Sequence, residues 1–270
     1  MKALKGLAIV SSFVLIGSMS ASAKTKYDDV LKKIIPSRIN YTATVEKDSI
    51  LKGFDQINVG IENKKTGTIY HRYIWISKDK TTIVPVILKL KDGQLKRATP
   101  QKVMERIETD ISWFYNLKKE LPKSILKSIG NGKTEVYLFS DPLCPFCKRE
   151  LSKLIKLAEE NKIKLYVLPF NVHGEEAKKA SAIFLNIVEK DGLKAAIDKI
   201  EGAEFNQVKD MVKKEKDIDK LLKKYGSVMD KIAKAAFKNG IEGTPGIVIP
   251  KTKQKGYVIV GLSNIEEYIK

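Results

Sequence analysis

Cys144 and Cys147 are the only cysteines in the 270-residue chain, and they stand three apart. They lie in Ser140-Asp141-Pro142-Leu143-Cys144-Pro145-Phe146-Cys147-Lys148, directly after the apolar run Val136-Tyr137-Leu138-Phe139. Behind them Leu151, Leu154, Ile155 and Ala158 recur on one face at helical spacing. The order predicts a strand, a tight turn, and a helix that opens on the cysteine pair. A helix N-terminus carries unsatisfied N–H groups and a partial positive charge. A cysteine placed there is a nucleophile near neutral pH, and a second one close by can attack the mixed disulfide that the first one forms. The chemistry within reach is thiol–disulfide exchange.

Other chemistries use the same spacing. Four-cysteine zinc sites do, but here zinc requires a second chain to complete the set. An inert structural disulfide is another reading. The c-type haem motif has His after the second cysteine, and Lys148 occupies that position. His71, in a predicted strand, and His173, in the loop after Pro169, show no cluster of partners and read as structural or solvated. Asp141 reads as a cap for the turn, and Trp75 and Trp113 as core or interface residues. No metal and no separate cofactor are expected; the redox group is a Cys144–Cys147 disulfide.

Several elements must position that turn. Residues 1–23 read as a cleaved signal peptide, with Lys2 and Lys5, the apolar run Leu7 to Gly17, and Ala21-Ser22-Ala23 before the cut. Export with a dithiol pair points to the bacterial periplasm. Residues 24–98 read as a small strand-rich domain after a short helix over Tyr27 to Ile35. Its strands are marked by Phe54, Ile57, Val59 and Ile61, by Ile69 to Ile76, and by Ile83 to Leu90, where Pro85 argues for an edge or bulge. So small a core invites a partner chain, and a homodimer through this region is expected.

Val103, Ile107, Ile111 and Phe114 predict a long helix from Thr99-Pro100, making residues 99–129 a connector. From 130 to 270 the order is strand, cysteine turn, helix, then strand Ile163 to Pro169. Inserted helices follow, within about 171–240, and end at Asn239-Gly240. Thr244-Pro245 precedes an apolar strand, followed by strand Gly256 to Val260 and a helix over Asn264 to Lys270. This is an α+β chain whose second domain has the thioredoxin arrangement.

The formal charge is +18, and 43% of residues are hydrophobic. The lysines are dispersed over helix faces without an Arg-rich tract, so nucleic acid is not an expected partner.

The run Asp141-Pro142-Leu143-Cys144-Pro145-Phe146-Cys147-Lys148, with Thr244-Pro245 downstream, resembles the DsbG/DsbC family of thiol:disulfide interchange proteins, DsbG more than DsbC. The resemblance implies an N-terminal cystatin-like dimerisation domain, a linker helix and a thioredoxin-like catalytic domain. It implies isomerisation or reduction of wrong disulfides in exported proteins, reduction of oxidised single cysteines, and a membrane reductase of DsbD type as electron donor. On it, Cys144 is the exposed nucleophile and Cys147 the resolving thiol. Pro245, if cis, faces the pair and leaves the Thr244 backbone to a substrate strand, while Pro145, Phe146 and Thr244 tune potential and substrate fit.

Two departures follow. The strong oxidase DsbA has His between its cysteines where this chain has Phe146, so a less oxidising disulfide is expected. Thioredoxin's buried Asp corresponds to Leu138, so the group that handles the proton of Cys147 has no candidate in the sequence. Two other readings stand beside the isomerase. One is a dimeric oxidase re-oxidised by a partner of DsbB type. The other is a chaperone-like dimer that binds unfolded clients.

Overall fold

The computed structural model describes residues 25–46, 49–91, 93–98 and 104–269. The signal peptide and the Thr99-Pro100 helix start expected from the sequence lie outside these residues. The described residues divide into two compact units, one within 25–61 and 72–98, the other within 62–71 and 104–269.

The first unit opens with α1 (Asp28–Ile34), followed by β1 (Tyr41–Glu46), β2 (Phe54–Asn63), β3 (Thr68–Ser77) and β4 (Ile83–Val84), paired in that order. The far ends of β2 and β3 group with the second unit. Tyr27, Leu31, Ala43, Ile57, Val59 and Ile76 form its buried core. Most of these side chains contribute about 1.5–3 kcal/mol each, which makes a modest core. The strand expected over Ile83 to Leu90 is interrupted: Pro85 cannot donate to a ladder, and the chain resumes as β5 (Leu88–Lys91), which pairs with β6 (Gln94–Arg97) as a separate hairpin.

The second unit carries β7 (Met104–Arg106), β8 (Thr109–Asp110) and α2 (Ser112–Glu120) where the sequence predicted one long connector helix. That expectation is corrected. Ile107, Ile111 and Phe114 do recur at helical spacing, but among the described residues of that stretch the helix begins at Ser112. Pro122 follows directly after its C-cap Leu121. Phe114, Leu117, Leu121 and Ile125 are buried in the core of this unit, so the segment is part of a domain and not a spacer.

Then follow β9 (Ser128–Ile129), β10 (Thr134–Ser140), α3 (Pro145–Glu159) and β11 (Ile163–Pro169). The expected helical insertion is α4 (Gly174–Asp191), α5 (Leu193–Ala196), a π-helical turn over Ile197–Glu201, α6 (Phe205–Lys214) and α7 (Ile218–Lys238). Helix α7 ends at Asn239, and Gly240 takes φ +86°, a value that favours glycine. Strands β12 (Gly246–Pro250) and β13 (Lys255–Val260) complete the chain with a single 3₁₀ turn, Ile265–Glu267, in place of the expected terminal helix.

The six-stranded sheet has the order β8-β13-β12-β10-β11-β9. Strand β10 runs parallel to β11 and antiparallel to β12. A parallel pair needs a crossover, and α3 supplies it. Because β10 is central, Val136 through Ser140 are all buried, which explains why that run reads as continuously apolar instead of alternating. The fold is α+β, as expected.

Candidate active site

The site is built where β10 ends. Ser140 closes the strand, and the turn Asp141-Pro142-Leu143 delivers Cys144 to the N-cap of α3 with an extended backbone, φ −88° and ψ 117°. Pro145 takes the first helical position, where its missing N–H costs nothing and its fixed φ suits the helix. Cys147 then falls in the first turn, on the buried face.

Asp141 holds the turn together. Its side chain is fully buried. One carboxylate oxygen accepts from the Leu143 N–H at 2.8 Å. The other accepts from the N–H groups of Val172 and His173 at 2.7 and 3.0 Å, and lies 3.0 Å from His173 Nδ1. The capping role expected for Asp141 is therefore wider: it ties the cysteine turn to the segment that leaves β11. His173, expected to be without a partner, is its side-chain hydrogen-bond partner. His71 lies 3.4 Å from Glu105.

Both cysteines are unbonded thiols. Cys144 is 2% exposed and Cys147 0%, so the expectation of an exposed nucleophile is corrected: the surface of the motif is Pro145 and Phe146, with Phe146 52% exposed. The Cys144 Sγ points to the Thr244 carbonyl oxygen at 3.6 Å. The Thr244–Pro245 peptide is cis, and this loop faces the pair. Gly246, which follows it, packs tightly on Ile241: a Cβ there would lie 2.3 Å from Ile241 Cγ2.

Burial pushes the Cys147 thiol up to about 12. The Asp141 N–H, 3.5 Å from Cys147 Sγ, and the Thr244 hydroxyl pull it down. Thr244 Oγ1 makes no hydrogen bond of ordinary geometry among the described residues, so the amide is the firmer of the two. A negative charge on Cys144 or Glu201 raises it further.

Glu201, at the end of the π-helical turn, is a site residue that sequence reasoning missed. It is buried, and it accepts a hydrogen bond from the Ser140 hydroxyl at 2.8 Å. Burial holds its carboxyl at about 7, above the usual 4.5, with the Ser140 hydrogen bond acting in the opposite sense. Lys148, next to Cys147, donates to the Ala203 carbonyl. In a run rich in Asp, Lys and Glu the residue reads as a solvated charge. Its one signal is that it stands four after Ile197, within the apolar stripe of the helix.

Among the described residues no group of three or more His, Cys, Asp or Glu is placed to hold a metal ion. The arrangement can take one substrate sulfur at Cys144, beneath the Thr244 carbonyl, and close a disulfide to Cys147.

Comparison with known proteins follows the geometry. Residues 121–270 match the family described as thioredoxin-like domain. No curated protein matches the chain by sequence. Among solved structures, the catalytic domain of Proteus mirabilis ScsC is similar at 22% identity, with 58% of this chain and 92% of that one covered and a TM-score of 0.46. The thiol-disulfide exchange protein alpha-DsbA2 from Wolbachia pipientis is similar at 19% identity, covering 58% and 91%, with a TM-score of 0.41. Pseudomonas aeruginosa DsbA2 is similar at 20% identity, covering 53% and 91%, with a TM-score of 0.39.

Proposed function

This chain belongs to the thioredoxin-like domain family, and from that premise we propose that it is an exported thiol–disulfide oxidoreductase. It acts as a disulfide isomerase and reductase on exported cysteine-containing proteins, oxidised single cysteines included. The observation that carries this reading is the meeting of the chain's only two cysteines with the cis Thr244–Pro245 loop at the start of α3.

The steps follow from the geometry. The Cys144 thiolate attacks one sulfur of a substrate disulfide; a Cys144–substrate S–S bond forms and the substrate's second sulfur leaves as thiolate. In isomerisation that freed thiolate attacks a different substrate disulfide, and another substrate thiolate finally displaces Cys144. In reduction Cys147 attacks Cys144 instead. The Cys144–Cys147 bond forms, the substrate leaves with both electrons of the broken bond, and a membrane reductase of DsbD type returns the pair to dithiol. A sulfenic acid is reduced the same way: Cys144 displaces hydroxide from the oxidised sulfur, and Cys147 releases the mixed disulfide.

The reductive direction is supported by the site's charge. Phe146 between the cysteines carries none, and the buried Cys147 is favoured as a thiol. A disulfide whose resolving sulfur is poorly stabilised as thiolate is a weaker oxidant. Export rests on the signal peptide read at residues 1–23; no described helix is long and apolar enough to cross a membrane.

Within the family, the DsbG/DsbC branch is favoured by the strand-rich unit that precedes the thioredoxin-like one. Its β5–β6 hairpin places Leu88, Leu90 and Leu95 on one face, with Leu90 and Leu95 paired across the strands and 72% and 68% exposed. A lone two-stranded hairpin is marginal in water, and a second copy of the chain is the proposed cover.

The test is unscrambling. The protein lacking residues 1–23 is incubated with a substrate protein of scrambled disulfides and a low-potential thiol buffer, beside its Cys144→Ser variant. Recovery of substrate activity by the wild type alone is expected. Oxidation of a fully reduced substrate without unscrambling would replace this reading by the oxidase.

A further inference from the structure

Helix α7 is 21 residues long and sorts its side chains by face. Leu221, Tyr225, Met229, Ile232 and Ala236 are buried in the core of the second unit. At 3.6 residues per turn, Lys220, Lys223, Lys224, Lys231, Lys234 and Lys238 fall within about 100° of one another, on the side turned away from that core. All six are exposed. The two acids of the helix, Asp219 and Asp230, lie on one flank, off the stripe.

The other long helix of the unit is built differently. Helix α4 carries Lys178, Lys179 and Lys190 beside Glu175, Glu176, Glu189 and Asp191, so its charges offset one another. In α7 the lysines form one row, about 27 Å long at 1.5 Å per residue. Their three- and four-residue spacings are those at which like charges oppose a helix, so a partner of opposite sign relieves the row. The chain itself relieves only part of it. Glu189 lies 2.5 Å from Lys224, and Glu120 lies 3.5 Å from Lys231. Lys220, Lys223, Lys234 and Lys238 make no ion pair among the described residues.

The residue type narrows the partner. Interfaces with proteins are enriched in Arg and depleted of Lys, and Arg is the residue suited to bidentate recognition. Lys is a hydrated point charge on a flexible stem. A row made of Lys alone suits a plane of negative charge that imposes no register, and lysine clusters on amphipathic helices suit anionic lipid. The C-terminal half of the row adds shape. It borders a cleft of about 490 Å³ between α2 and α7, where Lys231, Lys234 and Lys238 face one acid, Glu120, above the apolar Trp113, Leu117 and Ala235. A cationic rim over an apolar floor matches a lipid phosphate and the glycerol ester beneath it.

We propose that the lysine face of α7 docks on the anionic phospholipid headgroups of a bilayer. The helix lies along the surface and does not insert, because its apolar face is already buried in the protein. The proposal goes beyond the thiol–disulfide reading and does not depend on it. A chain so held stays beside the bilayer in which the proposed membrane reductase lies.

The experiment is vesicle sedimentation with the protein lacking residues 1–23, so that the apolar run before Ala23 takes no part. The vesicles hold phosphatidylglycerol and phosphatidylcholine at about 3:7, or phosphatidylcholine alone, in about 0.1 M salt. The wild type is expected to pellet with the anionic vesicles and to stay in solution with the neutral ones. The triple variant Lys223→Gln, Lys234→Gln, Lys238→Gln should bind the anionic vesicles roughly tenfold or more weakly, since each basic residue near such a surface strengthens attachment about fivefold. A second triple variant, Lys123→Gln, Lys156→Gln, Lys253→Gln, removes the same charge from exposed positions outside α7 and should bind within about threefold of the wild type.

Equal weakening of the two variants would show that net charge alone attracts the chain, and would overturn the proposal. So would a wild type that ignores the anionic vesicles. Binding of the wild type to poly-glutamate in solution, with the vesicles left unbound, would give the face to an acidic protein and overturn it too. Reaction of Cys144 with dithiobis-nitrobenzoate reads the thiol site separately and should be the same in all three proteins.

Discussion

Asp141 and His173 meet at 3.0 Å, carboxylate oxygen to ring nitrogen, and with the two adjoining backbone N–H groups they tie the cysteine turn to the segment after β11. The acid is fully buried and the imidazole 44% exposed. That inequality ranks the two residues. Asp141→Ala strands the buried Leu143 N–H, at about 1–3 kcal/mol when unsatisfied, and frees the part-buried N–H groups of Val172 and His173 to solvent, so a loss of roughly 2 kcal/mol or more is expected in urea unfolding. His173→Ala removes only a partly solvated partner and should cost under about 1 kcal/mol. Equal losses would show that the pair, not the buried acceptor, holds the turn.

Glu201 makes stability depend on pH in a definite direction. Its carboxyl titrates at about 7 in the fold against 4.5 ordinarily. Folding therefore favours the neutral acid. That contribution is complete below about pH 4.5 and is lost as the pH rises through about 7. Glu201→Gln cannot ionise, so it should be more stable than the wild type at about pH 8, by up to about 3 kcal/mol. At about pH 4 the two should be close, because both side chains are then neutral. Urea midpoints at the two pH values read the difference, and a gain that is the same at both would contradict the account. A residue that destabilises its own fold at neutral pH is one that function would have to justify.

Phe146 is the apolar, exposed member of the motif. Phe146→His places a protonatable ring between the cysteines, where it can stabilise a thiolate. The pair should become more oxidising by tens of millivolts, read by equilibration with glutathione. Global stability should stay within about 0.5 kcal/mol, as for surface substitutions. An unchanged potential would mean that this position does not reach the thiolate.

The β5–β6 hairpin carries the assembly prediction. Leu90→Lys with Leu95→Lys replaces the cross-strand apolar pair by like charges. Sedimentation of the wild type as a dimer and of the double variant as a monomer is expected. A monomeric wild type would remove the second copy from the account, leaving the cysteine chemistry untouched.

The cysteine turn was legible because its signals are local. The apolar run of β10, Pro145 at N1, the cysteine spacing and Thr244-Pro245 each act through nearby backbone. The helical insertion was legible from periodicity and the Asn239-Gly240 stop. The connector was misread because Ile107, Ile111 and Phe114 repeat at helical spacing in a segment whose first part pairs as β7 and β8. Strand pairing with β3 and β13 is a tertiary event that no local pattern announces. Glu201 was hidden for a related reason. Leu138 offers no acid beneath the cysteines, and the carboxyl arrives from a distant helical turn, so only the fold brings Glu201 to Ser140.

The most direct test of the central claim is a trapping experiment with single-cysteine variants. Cys147→Ser, incubated with a disulfide-bonded substrate protein, should accumulate a covalent adduct through Cys144 that reductant releases, detected by mass spectrometry. Cys144→Ser should accumulate none, because Cys147 lies within the first turn of α3 and its thiol is held up to about 12. Adducts in equal amounts from both variants, or from neither, would contradict the assignment of Cys144 as the attacking sulfur and Cys147 as the resolving one.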